Sequence, residues 1–272
     1  MIRIVKLLFL YLAYRLAFYT VSTGVYMLIK YGLPNISFFN ESSTNIYVII
    51  ASQCLSILAL GIHLIVGRYI KVSELKFVTD KSYKILLASV FLVLGMGMWV
   101  NYLSELSGLP DNMKSVFTMM MQNPFGILSI VVLAPFVEEL FFRGAVQGYL
   151  LQKYNRPYIG IIISALIFGL MHANPAQIPF AFILGVVFGW VYYITGSLLP
   201  GIFMHFINNG SAVLLANIYD DADTSIISCF GENGAIVIAV SGFVISVVSI
   251  LFINSTVMKL PCHKGDELSS QL

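Results

Sequence analysis

The sequence contains little charge. Of its 272 residues only 10% are charged, while 58% are hydrophobic; soluble domains carry about 25% charged residues. A chain with so little polar surface cannot cover itself in water, so its solvent must be lipid. It also lacks a long basic run, which argues against nucleic acid as a partner.

Cysteine is scarce as well. Cys54, Cys229 and Cys262 are odd in number and widely spaced, and no C-x-x-C occurs, so neither a disulfide framework nor a cysteine metal site is expected. Three catalytic signatures are missing too. The sequence has no H-E-x-x-H zinc helix, no G-x-G-D aspartyl motif and no G-x-S-G nucleophile motif.

Long apolar runs dominate what remains. Because about 20 apolar residues span a bilayer as a helix, the sequence predicts an all-α, polytopic transmembrane helix bundle of about eight spans. The predicted spans lie near residues 5–29, 46–67, 85–103, 125–151, 158–173, 176–195, 198–218 and 235–253. The fifth is short, which favours a tilted or re-entrant helix. We expect residues 1–124 to be peripheral, 125–218 to form a four-helix core, and 219–272 to hold the last helix and a tail.

The basic residues predict the orientation of the bundle, since cytoplasmic loops carry an excess of Lys and Arg. With eight spans and an inner N-terminus, the outer segments hold only Lys30 and Lys114. The inner segments hold Arg3, Lys6, Arg68, Lys71, Lys76, Lys81, Lys84, Lys153, Arg156, Lys259 and Lys264. Both termini are therefore expected to be cytoplasmic.

Three charges lie inside the fourth span: Glu138, Glu139 and Arg143. Each such group costs at least ~2.5–3.5 kcal/mol at mid-bilayer, so intramembrane charges are functional candidates. Glu139 and Arg143 are four residues apart and can form an ion pair on one face. Glu138 points about 100° away from Glu139 and is left free for chemistry. Pro135 removes a backbone N–H just upstream and can bend the helix there.

Other core spans add polar side chains. His172 closes the fifth span, and Phe168, four residues earlier, can pack against its ring. His205 and Asn209 share one face of the seventh span, with Asn208 as a substitute for Asn209. By depth along straight helices these groups lie at different levels from Glu138, so tilt, the Pro135 bend and the short fifth span must bring them together.

Two chemistries suit these residues. Glu138 in a low-dielectric pocket can act as a general base on water, with imidazole and amide N–H groups stabilising an oxyanion. Alternatively, Glu138, His172 and His205 supply three ligands of an open divalent metal site. Hydrogen bonding between helices is a simpler explanation for His172 or His205 taken singly.

Taken together, the three motifs resemble a known signature. E-E-x-x-x-R at 138–143, F-x-x-x-H at 168–172 and H-x-x-x-N at 205–209 are similar to the pattern of the CPBP family of intramembrane proteases, the CAAX-protease and bacteriocin-processing (Abi) group. The resemblance covers residues 125–218. It implies an endopeptidase that hydrolyses a peptide bond of a membrane-associated or lipidated peptide.

The resemblance also implies residue roles. Glu138 would activate water with the help of His172, His205 and Asn209 would form the oxyanion hole, and Glu139, Arg143 and Phe168 would support the site. No cofactor is certain: a metal-free mechanism is favoured because Asn209 suits oxyanion binding, and a divalent metal such as zinc remains the alternative.

The expected partners are the bilayer and a peptide or protein substrate, prenylated in some members. The compact loops look more like those of bacterial members, which implies a plasma-membrane protein linked to bacteriocin maturation or self-immunity. Two other functions stay open. A non-catalytic membrane scaffold or immunity protein would bind another membrane protein, and a transporter would use the charges as an ion relay, although no internal repeat supports that fold.

Overall fold

The computed structural model describes residues 2–32, 41–76, 82–154, 156–218 and 225–257. Within these ranges it contains nine helices and no strand, which confirms the all-α prediction. The helices are α1 Ile2–Gly32, α2 Glu41–Val66, α3 Ser82–Ser107, α4 Lys114–Met121, α5 Pro124–Lys153, α6 Pro157–Leu170, α7 Ile178–Thr195, α8 Leu199–Ile218 and α9 Ile226–Val257. A short 3₁₀ helix, Val72–Leu75, lies between α2 and α3.

Seven helices are long and apolar enough to cross a membrane: α1, α2, α3, α5, α7, α8 and α9. The chain is thus a multi-pass integral membrane protein. The fifth predicted span corresponds to α6, which has only 14 residues and a length of about 21 Å. The seven long helices and the shorter apolar helix α6 thus correspond to the eight predicted spans, of which the fifth was expected to be short. Helix α9 also starts earlier than predicted and is interrupted at Gly231, where φ is +68°.

Helix α5 is not a uniform α-helix. Residues Ser129–Leu133 and Leu140–Gln147 are π-helical and flank the α-helical turn Ala134–Glu139. At the first π segment the N–H of Ala134 bonds to the carbonyl of Ser129, five residues back. The carbonyl of Ile130 would accept from the N–H of Ala134 in an α-helix and from that of residue 135 in a π-helix. Since Ala134 bonds to Ser129 and Pro135 has no N–H, neither backbone donor reaches Ile130. The predicted disturbance at Pro135 takes this form.

The flanking helices pack through glycine contacts. A Cβ atom built on Gly95 of α3 would lie 2.7 Å from the carbonyl oxygen of Gly242 in α9, so the two backbones touch. Trp99 supports the same crossing by donating from Nε1 to Ser246 Oγ at 3.3 Å. Helices α6 and α7 meet in a similar way at Gly185, where a Cβ would lie 3.2 Å from the Ala165 backbone.

The connection between α7 and α8 lies deep beside α5. A Cβ on Gly144 would meet the side chains of Ile70 and Leu198, and the N–H of Leu198 donates to the carbonyl of Glu74 at 2.8 Å. Gly144 precedes Lys153, the last residue of α5, by about 14 Å along the helix. Along the axis of α5, helix α8 therefore begins about level with Gly144 rather than with the end of α5. This places His205, about one to two turns into α8, at the same depth as Glu138 and Glu139.

Candidate active site

The ion pair predicted on α5 is present. Arg143 Nε lies 3.2 Å from Glu139 Oε2, and both side chains are buried. The two atoms form an ion pair but not a hydrogen bond, since neither has a hydrogen-bond partner. Instead the guanidinium lies between two rings, 4.5 Å from the centroid of Phe168 and 5.6 Å from that of Phe188. Cation–π contact thus surrounds a cation whose Nη1 and Nη2 atoms have no partner in the described part of the chain.

His205 lies between the two adjacent glutamates. Its Nδ1 is 3.3 Å from Glu139 Oε1, and its Nε2 is 3.8 Å from Glu138 Oε2. The Glu139 side chain is fully buried, whereas 22% of the Glu138 side chain is exposed. Glu139 therefore joins His205 to Arg143. Glu138 is the more accessible of the two carboxylates, although it approaches the same imidazole rather than pointing away from Glu139.

A glycine allows this approach of α8 to α5. A Cβ on Gly201 would lie 3.0 Å from Glu139 Oε2, so a larger residue would push the carboxylate away from His205. Gly201 and the Glu139–His205 contact were not predicted from the sequence. Phe188, whose ring centroid is 5.6 Å from that of His205, was not predicted either, because nothing in the sequence distinguishes this residue from other apolar residues of α7.

Asn209 anchors α8 to the first π segment. Its Nδ2 donates to the carbonyl of Ile130 at 2.9 Å, the same carbonyl that Pro135 leaves without a backbone donor. Its Oδ1 accepts from Asn208 Nδ2 at 3.1 Å, so Asn208 supports Asn209. Since an amide nitrogen carries two hydrogens, Asn209 retains one N–H for another acceptor.

His172 lies just beyond the end of α6. Its Nδ1 is 2.9 Å from the carbonyl oxygen of Phe168, and its ring meets that of Phe168 edge-on at 4.9 Å, as predicted. The Phe168 ring also contacts His205, with a centroid distance of 5.6 Å. A phenyl ring thus connects the two imidazoles. Nδ1 can donate to the carbonyl, which leaves Nε2 available for water or substrate.

The three ligands proposed for a metal are not gathered into one set. Glu138 and His205 approach each other, but His172 forms neither a hydrogen bond nor an ion pair with Glu138 within the described ranges. No group of three or more His, Cys, Asp or Glu side chains among those residues is placed to hold a metal ion. Within the described ranges the three side chains are therefore not arranged as a zinc site.

Comparisons with known proteins agree with the three motifs. Residues 120–211 match the family model described as type II CAAX prenyl endopeptidase Rce1-like. This match confirms the resemblance for that segment, which contains every candidate site residue.

Two curated relatives are similar over part of their length. "Putative membrane peptidase YdiL" of Bacillus subtilis (strain 168) is 28% identical over 105 residues, which cover 39% of this chain and 43% of the relative. "Membrane-embedded CAAX protease MroQ" of Staphylococcus aureus (strain USA300) is 35% identical over 96 residues, which cover 34% of this chain and 39% of the relative. The chain thus spans less than half the length of these curated relatives. No solved structure matches.

Proposed function

We propose that this chain is an intramembrane endopeptidase that uses Glu138 to hydrolyse a peptide bond. One observation carries the proposal: a partly accessible carboxylate faces Nε2 of His205, inside membrane-spanning helices, while Glu139 and Arg143 hold the other side of the ring. Charged groups in a membrane-spanning helix are costly and mark functional sites. The Rce1-like match over the same segment supports a protease.

In the proposed reaction Glu138 takes a proton from water, and the water oxygen forms a bond to the scissile carbonyl carbon. His172 Nε2 orients the attacking water. His205 and the remaining N–H of Asn209 are the proposed partners of the carbonyl oxygen as it becomes an oxyanion. The C–N bond then breaks, and the proton on Glu138 passes to the leaving amine.

We propose a CAAX-type or bacteriocin-like peptide, prenylated or plain, as substrate. The family description of residues 120–211 and the printed name of the Staphylococcus aureus relative support the CAAX type. For the orientation we propose cytoplasmic termini, on the excess of Lys and Arg in the predicted inner segments. With this topology His172 lies toward the outer surface.

A cleavage assay tests the function. The purified protein in detergent is incubated with a library of prenylated and plain peptides, and products are identified by mass spectrometry. Wild type runs beside Glu138→Gln, His172→Ala and His205→Ala, each with and without a chelator. We expect cleavage by wild type, a loss of about 100-fold or more in each variant, and no effect of the chelator.

Each contrary outcome identifies a different alternative. Chelator-sensitive cleavage that zinc restores would move Glu138 and the histidines to metal-ligand roles. Undiminished cleavage by Glu138→Gln would refute the proposed mechanism. A chain that cleaves nothing, and whose Glu138→Gln variant keeps full biological activity in cells, would be a scaffold that binds another membrane protein.

A further inference from the structure

The loop after His172 is fastened to the loop after α3. Asn174, whose side chain is completely buried, donates from Nδ2 to Asp111 Oδ1 at 2.9 Å. Its Oδ1 accepts from the backbone N–H of Asn112 at 3.1 Å. The N–H of Ala176 donates to the carbonyl of Pro110 at 3.3 Å. Both ends of one buried amide are thus occupied, and we call this set of contacts the Asp111–Asn174 latch.

Ala173, which lies between His172 and the latch, has a strained backbone conformation. Ala173 has a φ of +52°, in the left-handed region that costs a residue with a Cβ about 1–2 kcal/mol. Such a conformation persists only where the surroundings impose it. On one side α6 ends with the N–H groups of His172 and Ala173 bonded to the carbonyls of Gly169 and Leu170, both at 3.1 Å. On the other side Asn174 is held by its side-chain bonds to Asp111 and Asn112.

We infer that Asp111 and Asn174 are positioning residues for His172, an inference that rests on the proposed function. The latch fixes the turn at Ala173, and that turn sets where the imidazole stands relative to Phe168 and the glutamates. Asp111 lies outside the segment that matches the family model. A loop of the predicted peripheral region therefore takes part in building the site.

The steady-state constants give the first test. Displacing a catalytic group by about 1 Å can cost ~100-fold in rate, so Asn174→Ala and Asp111→Ala should each lower kcat by about 10- to 100-fold. KM should stay within about twofold, because the inference gives neither side chain a part in substrate binding. Ser107→Ala is the matched control. Ser107 is the last residue of α3, directly before this loop, and bonds only to Ser104 and Leu109 in the described contacts, so kcat should not change.

A conservative variant provides the rescue. Asp111→Asn keeps an oxygen at the position of Asp111 Oδ1, which accepts from Asn174 Nδ2 at 2.9 Å and from the N–H of Met113 at 3.0 Å. We expect kcat of Asp111→Asn to stay within about threefold of wild type, in contrast to Asp111→Ala.

A readout independent of activity follows His172 itself. Carbethoxylation by diethyl pyrocarbonate, measured at His172 by mass spectrometry, should be faster in Asn174→Ala and Asp111→Ala than in wild type, and Asp111→Asn should keep the slower rate. An unchanged kcat and modification rate in Asn174→Ala would overturn the inference. So would a loss of kcat in Asp111→Asn that is as large as in Asp111→Ala and that accompanies a lower melting temperature.

Failure of the proposed function would look different. Wild type without any cleavage, or a fully active Glu138→Gln, would refute the peptidase proposal. The modification rates would then still decide whether the latch positions His172.

Discussion

The bond from Asn209 to the carbonyl of Ile130 should be energetically coupled to Pro135. The π segment directs the N–H of Ala134 to Ser129, and Pro135 has no N–H, so Asn209 Nδ2 at 2.9 Å is the donor that satisfies Ile130. A buried carbonyl left without a partner costs about 1–3 kcal/mol. We therefore expect Asn209→Leu to destabilise the fold by about that amount.

Pro135→Ala should reduce this cost, because alanine restores a backbone N–H that can bond to Ile130. In the double variant, Asn209→Leu should cost about 1–2 kcal/mol less than in wild type. The assay is unfolding in mixed micelles titrated with a denaturing detergent, followed by circular dichroism. Stability is measured rather than activity, because Asn209 is also a proposed oxyanion donor.

Asn208→Leu is the control for this cycle. It removes the bond to Asn209 Oδ1 but leaves the bond to Ile130, so its effect should add to that of Pro135→Ala within about 0.5 kcal/mol. If the effects of Asn209→Leu and Pro135→Ala on the free energy of unfolding also added within about 0.5 kcal/mol, the reasoning would be refuted. The carbonyl of Ile130 would then be satisfied by another group.

Two further outcomes concern stability. Arg143→Met should destabilise the protein by about 3–5 kcal/mol in the same unfolding assay, because it leaves the buried Glu139 carboxylate without its cation; adding Glu139→Gln should recover much of the loss, and no recovery would contradict the ion pair. Gly242→Leu should separate α3 from α9, since a Cβ there already meets Gly95 and Met98. The expected cost is about 1–3 kcal/mol or more. Gly97→Leu, with open space around its Cβ position, should cost less than about 1 kcal/mol, and equal losses would contradict the contact.

Much of the fold could be predicted from composition and local pattern. Apolar runs of about 20 residues mark spans because no other backbone arrangement is satisfied in lipid. The four-residue spacing of Glu139 and Arg143 predicts their pair because the helix period places them on one face. The short length of α6 was visible as well, since its apolar run is short.

The approach of His205 and Asn209 to the α5 residues could not be predicted from the sequence. His205 reaches the glutamates because the α7–α8 connection lies deep beside Gly144, a tertiary feature that has no local signal. The bond between Asn209 and Ile130 depends on the first π segment. Pro135 is the one sequence feature that indicates a disturbed helix at this place. Phe188 looks like any apolar residue of α7, and the Asp111–Asn174 latch joins loops that are far apart in sequence.

The most direct test of the proposed chemistry is isotope incorporation. Wild type and Glu138→Gln, each reconstituted in liposomes, are incubated with the peptide library in H₂¹⁸O, and new carboxyl termini are examined by mass spectrometry. Hydrolysis that depends on Glu138 should place one ¹⁸O atom in each new terminus with wild type and yield about 100-fold less product with the variant. Equal labelled product from both proteins, or no labelled product from wild type with any peptide, would contradict the proposal that Glu138 activates water for peptide-bond hydrolysis.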